Sequence, residues 1–337
     1  MNLEDRIAAF GKLGKYLDSI DDEEFQKVVL GARSENSWFT DESIKLAFAS
    51  LKKRFLDPGQ LRGWISSYNP PEIKPKTIAL IMAGNIPMVG FHDLLCVLVT
   101  GHRAMVKLSS KDSFLLKYLI DHLIYIEPRF SGYIQVAADL LKGFDAVIAT
   151  GSDNSARYFE FYFGKYPHVI RKNRTSCAVL AGFETQDELV KLGEDVFTYF
   201  GLGCRNVSKL FVPRGYDFIT LLQQWDKYAE VMNHHKYHNN YDYQKSILLV
   251  NRQHFLDTGF VLLQESERLV SPISVLYYEY YDGWESVLKK LDEHQEKIQC
   301  VVGNVEAANV RIGNSQSPDL SDYADRVDTV KFLLALG

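Results

Sequence analysis

Short apolar runs alternate with helical stretches between residues 77 and 180, and that alternation leaves few folds open to the chain. Runs of strand length lie at 77–83, 103–107, 146–150, around 168–170 and at 176–180. Between them, 91–99, 113–125 and 154–163 read as helices. Strand and helix in succession is the pattern of right-handed crossovers, so the expected fold class is α/β with a mostly parallel sheet. Ligands of such open sheets gather at the C-terminal ends of the strands. Here those ends carry Gly84-Asn85-Ile86-Pro87, Lys107-Leu108-Ser109-Ser110-Lys111 and Thr150-Gly151-Ser152.

Before this region the chain reads as helices and connectors. Leu3, Ile7, Phe10, Leu13 and Leu17 recur at helical spacing, and Thr40-Asp41-Glu42-Ser43 caps a second run through Leu51. The proline-rich stretch at 69–75 is a linker, because proline removes donors and bars regular structure before it. Further on, the pattern predicts a helix at 186–200, a strand at 209–212, helices at 218–232 and 243–251, a strand at 273–278, a helix at 284–293 and a strand at 298–302. The polar aromatic segment 233–243 reads as a loop flanking a substrate mouth, and 328–334 as a closing strand. A terminal apolar strand is an exposed edge unless covered, so pairing with a second subunit is expected of it.

The chain's 337 residues, 46% of them hydrophobic, suffice for a large core in one domain or two. A net charge of −5, with basic and acidic residues interspersed, supplies no field for nucleic acid. The N-terminus lacks the pattern of a signal peptide and no apolar run reaches spanning length, so a cytoplasmic protein is expected. Cys96, Cys177, Cys204 and Cys300 are scattered without CxxC spacing, which argues against a disulfide framework or a zinc site. His234, His235 and His238 have the spacing of one helix face, but no fourth ligand follows, and no metal is expected.

Cys204 is different in its surroundings. It follows the helical run at 186–200 and two glycines, Gly201 and Gly203, that bracket Leu202. Glycine sets no side chain over a neighbouring thiol and admits φ > 0, so this bend can display a nucleophile. The alternative is a buried cysteine acting as a small hydrophobe.

In order along the chain, these pieces resemble the aldehyde dehydrogenase superfamily and, within it, the LuxC-type acyl-CoA (fatty-acid) reductases. The likeness runs from about Ile78 to the C-terminus and is diffuse after Met232. Gly84-Asn85-Ile86-Pro87 is similar to the family's Asn-x-Pro turn, and the segment 99–110 to its glycine turn, strand and Lys-x-Ser element. Thr150-Gly151-Ser152 matches its Thr-Gly-Ser, Gly201-Leu202-Gly203-Cys204 falls where it places a Gly-x-x-Cys nucleophile, and 323–331 is similar to its oligomerisation strand. The resemblance implies two α/β domains: residues 1–181 with the N-terminal helices and a nucleotide-binding core at about 76–181, then 182–312 with the catalytic cysteine, then an oligomerisation segment at 313–337.

It also implies roles. Cys204 would attack a thioester, an exchange of sulfur leaving groups that suits a thiolate. Asn85, with the Cys204 backbone N–H, would hold the oxyanion; otherwise Asn85 is a turn residue before Pro87. Lys107, Ser109, Ser110, Gly151 and Ser152 fall at cofactor-binding positions, although Lys107 also reads as an ordinary exposed lysine and Gly151-Ser152 as a plain helix start. Many NAD-preferring relatives carry a glutamate at the position of Ser110. A neutral serine followed by Lys111 favours NADPH, with NAD as the alternative. Arg171 stands where hydrolytic relatives carry a water-activating glutamate, and an arginine cannot act as that base. The basic cluster Arg171-Lys172-Asn173-Arg174 is expected instead to attract phosphates. Arg268, in Glu267-Arg268-Leu269-Val270-Ser271-Pro272, takes the place of a ribose-binding glutamate.

The activity implied is reduction of a fatty acyl-CoA to the aldehyde by a homodimer or larger homo-oligomer. A CoA-acylating aldehyde dehydrogenase running in the oxidative direction, and a catalytically inactive scaffold subunit, are the alternatives.

Overall fold

The computed structural model describes residues 1–71, 73–138 and 140–337, so Glu72 of the proline-rich linker lies outside the described residues. The chain forms two compact units, Met1–Asn173 with Pro318–Gly337, and Arg174–Ser317. Among the described residues, no helix is long and apolar enough to cross a membrane.

The first unit opens with four helices, α1 Leu3–Ser19, α2 Asp22–Glu35, α3 Asp41–Ser50 and α4 Pro58–Ser66. Each has an N-cap side chain, Asn2, Asp21, Thr40 and Asp57, that accepts a hydrogen bond from the first turn. Then β1 Thr77–Ile81, α5 Phe91–Thr100, β2 Arg103–Lys107, α6 Ser113–Ile126, β3 Ile134–Val136, β4 Ala146–Thr150, α7 Asp153–Phe163 and β5 His168–Arg171 build a parallel sheet in the order β3-β2-β1-β4-β5. Ile78, Ala79 and Leu80 are buried in succession, as a central strand covered on both faces requires. Eight of the ten residues of α5 are buried, and the helix stops at Gly101, which takes the left-handed φ of 95°.

The second unit holds β6 Thr175–Val179, α8 Gln186–Phe197, β7 Val207–Pro213, α9 Phe218–Gln223, α10 His235–Val250, β8 Leu256–Asp257, β9 Leu262–Glu265, β10 Val275–Tyr281, α11 Trp284–Glu293 and β11 Ile298–Val302. Its six-stranded sheet runs β11-β6-β7-β10-β9-β8, parallel except that β8 is antiparallel to β9. Leu189, Leu192, Leu210, Trp225, Leu263 and Leu276 belong to its core.

Two expectations need correction. The segment 233–243 is not a loop, because α10 begins at His235 and sets Tyr237 and Tyr241 four apart on its buried face. The closing segment is not a strand either. Asp328 caps a helix, α12 Thr329–Leu334, in which Val330 and Leu333 are buried at helical spacing, and α12 packs on α5 in the first unit. β-branched residues at 329 and 330 suggested a strand, but the burial has a helical period.

Candidate active site

In the second unit the thiol of Cys204 sits on a built bend. The capping box of Thr185 and Glu188 starts α8, which ends at Phe197, three residues before the expected end. Tyr199, Phe200 and Gly201 then take φ of 52°, 58° and 77°, a left-handed run that is strained at its two aromatic members. Asn206, 2% exposed, holds this run in place. Its Nδ2 lies 3.2, 3.3 and 2.8 Å from the carbonyls of Asp195, Val196 and Thr198, and its Oδ1 accepts the Gly203 N–H at 2.8 Å. Those carbonyls lie at the C-terminal end of α8 and its cap Thr198, where backbone carbonyls run out of intrahelical partners.

Cys204 and Arg205 form the middle of a turn closed by the Asn206 N–H on the Gly203 carbonyl, 3.1 Å apart. The buried Ser176 hydroxyl donates to the Cys204 carbonyl at 3.0 Å, and Arg205 is tied to the Ser315 carbonyl. Asp195 accepts the N–H groups of Gly313 and Ser315 at 2.6 and 2.8 Å. Cys204 is half-buried, whereas Cys96, Cys177 and Cys300 are buried, and burial raises the Cys96 thiol well above its ordinary pKa.

In the first unit the other expected site residues leave one edge of the sheet. The strand order reverses between β1 and β4, the point at which doubly wound sheets take their ligands. Ile81 at the end of β1 is in register with Lys107 on β2 and Ala149 on β4, so the segments carrying Asn85, Lys107 to Ser110, and Gly151-Ser152 emerge side by side. Asn85, Ser110 and Ser152 are exposed; Lys107, Ser109 and Gly151 are half-buried.

The Asn85 turn is held at both ends. Asn36 Nδ2 donates to the Gly84 carbonyl at 3.2 Å, and the Met88 N–H donates to Asp112 Oδ2 at 2.7 Å. Gly84 packs so closely on the following loop that a Cβ there would lie 2.7 Å from Ser109 Oγ. Lys107 donates to the Ala138 carbonyl at 2.6 Å, Ser109 Oγ accepts the Lys111 N–H at 3.2 Å, and Ser152 is the N-cap of α7.

Each cation of the basic cluster at 171–174 has a partner within its own unit. Arg171, 3% exposed, is paired with Asp93 and donates to Thr329 Oγ1 at 2.8 Å, so it fastens α12 inside the first unit. Lys172 pairs with Glu160 at 3.0 Å, and Arg174 donates to the carbonyls of Gln295 and Ile298. His238 faces Asp242 on α10 at 3.4 Å. Asn36, Asp112, Ser176 and Asn206 went unassigned in the sequence. Of these only Asn206 has a local signal, a short polar residue three positions after Gly203.

No protein-family model matches the chain. Solved aldehyde dehydrogenases superpose on it: aldehyde dehydrogenase 21 of Physcomitrella patens, solved with its reaction product succinate, covers 100% of this chain and 84% of its own at a TM-score of 0.71 and 12% identity. The chain has the aldehyde dehydrogenase fold. Two more proteins with that fold are an aldehyde dehydrogenase C of Pseudomonas syringae in complex with NAD+ and octanal (TM-score 0.65, 12% identity, 91% of this chain and 74% of that one) and the NAD+ complex of a Bacillus cereus enzyme (TM-score 0.60, 14% identity, 90% and 72%). In sequence, 198 residues are 20% identical to the long-chain acyl-protein thioester reductase of Photorhabdus laumondii. That match spans 53% of this chain and 41% of the relative, so the chain matches less than half of the relative's length.

Proposed function

We propose that this chain reduces an acyl thioester, with fatty acyl-CoA as the leading substrate, to the aldehyde through an acyl-Cys204 intermediate and with NADPH as the reductant. The observation that carries the reading is the display of Cys204 on a polar-braced bend while the other three cysteines are buried. The thioester reductase of Photorhabdus laumondii, similar over part of the chain, supports the substrate class.

In this reading the Cys204 thiolate attacks the thioester carbonyl and the carbon–sulfur bond to CoA breaks, leaving an acyl-cysteine and a CoA thiolate. Asn85 and the Cys204 N–H hold the oxyanion, each donor contributing on the order of 3 kcal/mol. A reduced nicotinamide, when bound, supplies the hydride. The hemithioacetal oxyanion left on Cys204 then collapses to aldehyde and frees the thiolate. Arg171, paired with Asp93, stands where hydrolytic relatives have their base and cannot act as one, so in this reading the acyl-enzyme survives to be reduced.

The first unit's residues suit a dinucleotide. The strand reversal offers the edge, and the segments carrying Lys107, Ser109, Ser110, Gly151 and Ser152 leave the sheet there. Ser110 is exposed with Lys111 next to it, which favours a 2′-phosphate over a bare ribose. A homo-oligomer remains part of this proposal.

The test mixes purified protein with long-chain acyl-CoA and NADPH. The expected result is loss of reduced-nicotinamide absorbance and a Cys204 acyl adduct when NADPH is omitted, both abolished in Cys204→Ala. Iodoacetamide should label Cys204 ahead of the other cysteines. Equal labelling of all four cysteines with no turnover would favour a silent scaffold. Faster turnover with aldehyde, CoA and NAD(P) would reverse the direction.

A further inference from the structure

We infer that Asp112 is a positioning residue for Asn85, holding the oxyanion-side turn from outside it through the Met88 N–H. The inference rests on the reading of Asn85 given above and extends it to a side chain 27 residues further along the sequence.

Within the turn Gly84-Asn85-Ile86-Pro87-Met88, Pro87 has no N–H to give. Two side chains anchored elsewhere hold the ends of the turn. Asn36, at the end of α2, takes the Gly84 carbonyl at 3.2 Å, and Asp112, just before α6, takes the Met88 N–H at 2.7 Å. Between these two clamps lie only Asn85, Ile86 and Pro87. Met88 is held at φ 57°, a conformation that a non-glycine residue keeps only where its surroundings impose it. A Cβ on Gly84 would lie 3.0 Å from Asp112 Cβ, so the same side chain also braces the start of the turn by contact.

Asp112 is 1% exposed, and its second oxygen, Oδ1, has no hydrogen-bond partner among the described residues. A buried carboxylate with one empty oxygen is costly, and burial pushes this carboxyl up to about 8. The charged group that acts on it is Glu35 at the end of α2, which accepts the Ser113 and Phe114 N–H groups and pushes the carboxyl further up. The segment from Gly84 to Gly90 carries no ionisable side chain. Near neutrality Asp112 is therefore an uncharged acceptor for Met88. Its ionisation would set a negative charge behind the turn that must stabilise an oxyanion, and would oppose that step.

Steady-state reduction of long-chain acyl-CoA by NADPH, followed from pH 6 to 9.5, tests this on the full chain with Asp112→Asn, Asp112→Ala and Asn85→Ala. Asp112→Asn keeps an oxygen acceptor of the same shape and loses the titration. It is expected to hold kcat within about twofold at pH 7 and to lose a fall in kcat that the unaltered chain shows above about pH 8. Asp112→Ala is expected to lower kcat about ten- to hundredfold with KM within about twofold, the signature of misplaced machinery in a site that still binds. If Asn85→Ala is impaired while both Asp112 variants keep the original kcat and pH profile, the inference is overturned and the reading of Asn85 stands. If Asn85→Ala is fully active, or the unaltered chain turns over no acyl-CoA, that reading fails and takes the inference with it. Should Asp112→Ala not fold, the pH profile of Asp112→Asn decides alone.

Discussion

Asn206 joins the strained approach to Cys204 with both ends of one amide. Its Nδ2 meets three carbonyls at the end of α8 and its Oδ1 the Gly203 N–H, so removing it strands several buried polar groups at once. At about 1 kcal/mol for each bond lost, Asn206→Ala is expected to lower the unfolding free energy by about 2–4 kcal/mol in urea titrations. The release of Tyr199 and Phe200 from their left-handed conformations should also change the iodoacetamide rate of Cys204 at fixed pH. Asn206→Asp keeps the acceptor for Gly203 but turns a carboxylate toward three carbonyls, so it should be no better than alanine at neutral pH. An Asn206→Ala protein with unaltered stability and alkylation rate would show that the bend is held by other contacts. At this scale the sequence displayed the glycines and the cysteine but not the brace. A glycine pair is a local signal, whereas the partners of Asn206 are decided only when α8 stops at Phe197. Asn36 and Asp112 are further still from legibility, being brought to the Asn85 turn by helices distant from it in sequence.

Among the elements, α12 shows how burial can overrule a local pattern. Asp328-Thr329-Val330 has the composition of a strand, and nothing local announces that the last helical turns will lie on α5. Once there, the C-terminal piece of the first unit is fastened through backbone carbonyls to two histidines, half-buried His92 at a carbonyl before α12 and buried His102 at one on it. His92 Nε2 donates to the Leu320 carbonyl at 3.0 Å, and His102 Nε2 to that of Leu333 at 3.0 Å. His102 Nδ1 also accepts the Lys76 N–H at 3.0 Å, so the ring must be neutral with its proton on Nε2. Burial lowers the pKa of both rings below the ordinary histidine value of 6.5. A histidine held neutral in the folded chain but free to take a proton when unfolded stabilises the fold fully above pH 6.5 and loses that contribution as pH falls below it. The first unit is therefore expected to lose stability progressively from about pH 6.5 downward, read as a falling Tm. His102→Gln, which keeps an amide donor and acceptor without titrating, should flatten that slope. An unchanged slope in the His102→Gln protein would place the acid sensitivity elsewhere. The strands of the first sheet, by contrast, were legible because each is a short apolar run between turn residues, and the strand ends carrying Asn85, Lys107 and Gly151 followed from that alternation.

Across the whole molecule, each unit has a core of its own. Among the described residues, the buried apolar clusters fall either within Met1–Asn173 and Pro318–Gly337 or within Arg174–Ser317. The first unit is discontinuous and needs its C-terminal piece, since Thr329, Val330 and Leu333 are buried in it. The second is one continuous stretch of about 140 residues, an ordinary size for an independent domain. The partners that shape the Cys204 bend, Ser176, Asp195, Asn206 and Ser315, all lie inside that stretch. Residues 174–317 expressed alone are therefore expected to unfold cooperatively in urea and to alkylate Cys204 faster than the buried Cys177 and Cys300. The same fragment should reduce no acyl-CoA, because Asn85 and the strand edge proposed for the cofactor belong to the first unit. Cooperative folding with all three thiols equally slow would mean that the bend is not built by its own unit. Retained reductase activity would remove Asn85 and the first sheet from the chemistry, leaving Cys204 to find its oxyanion donor and its reductant within a single sheet.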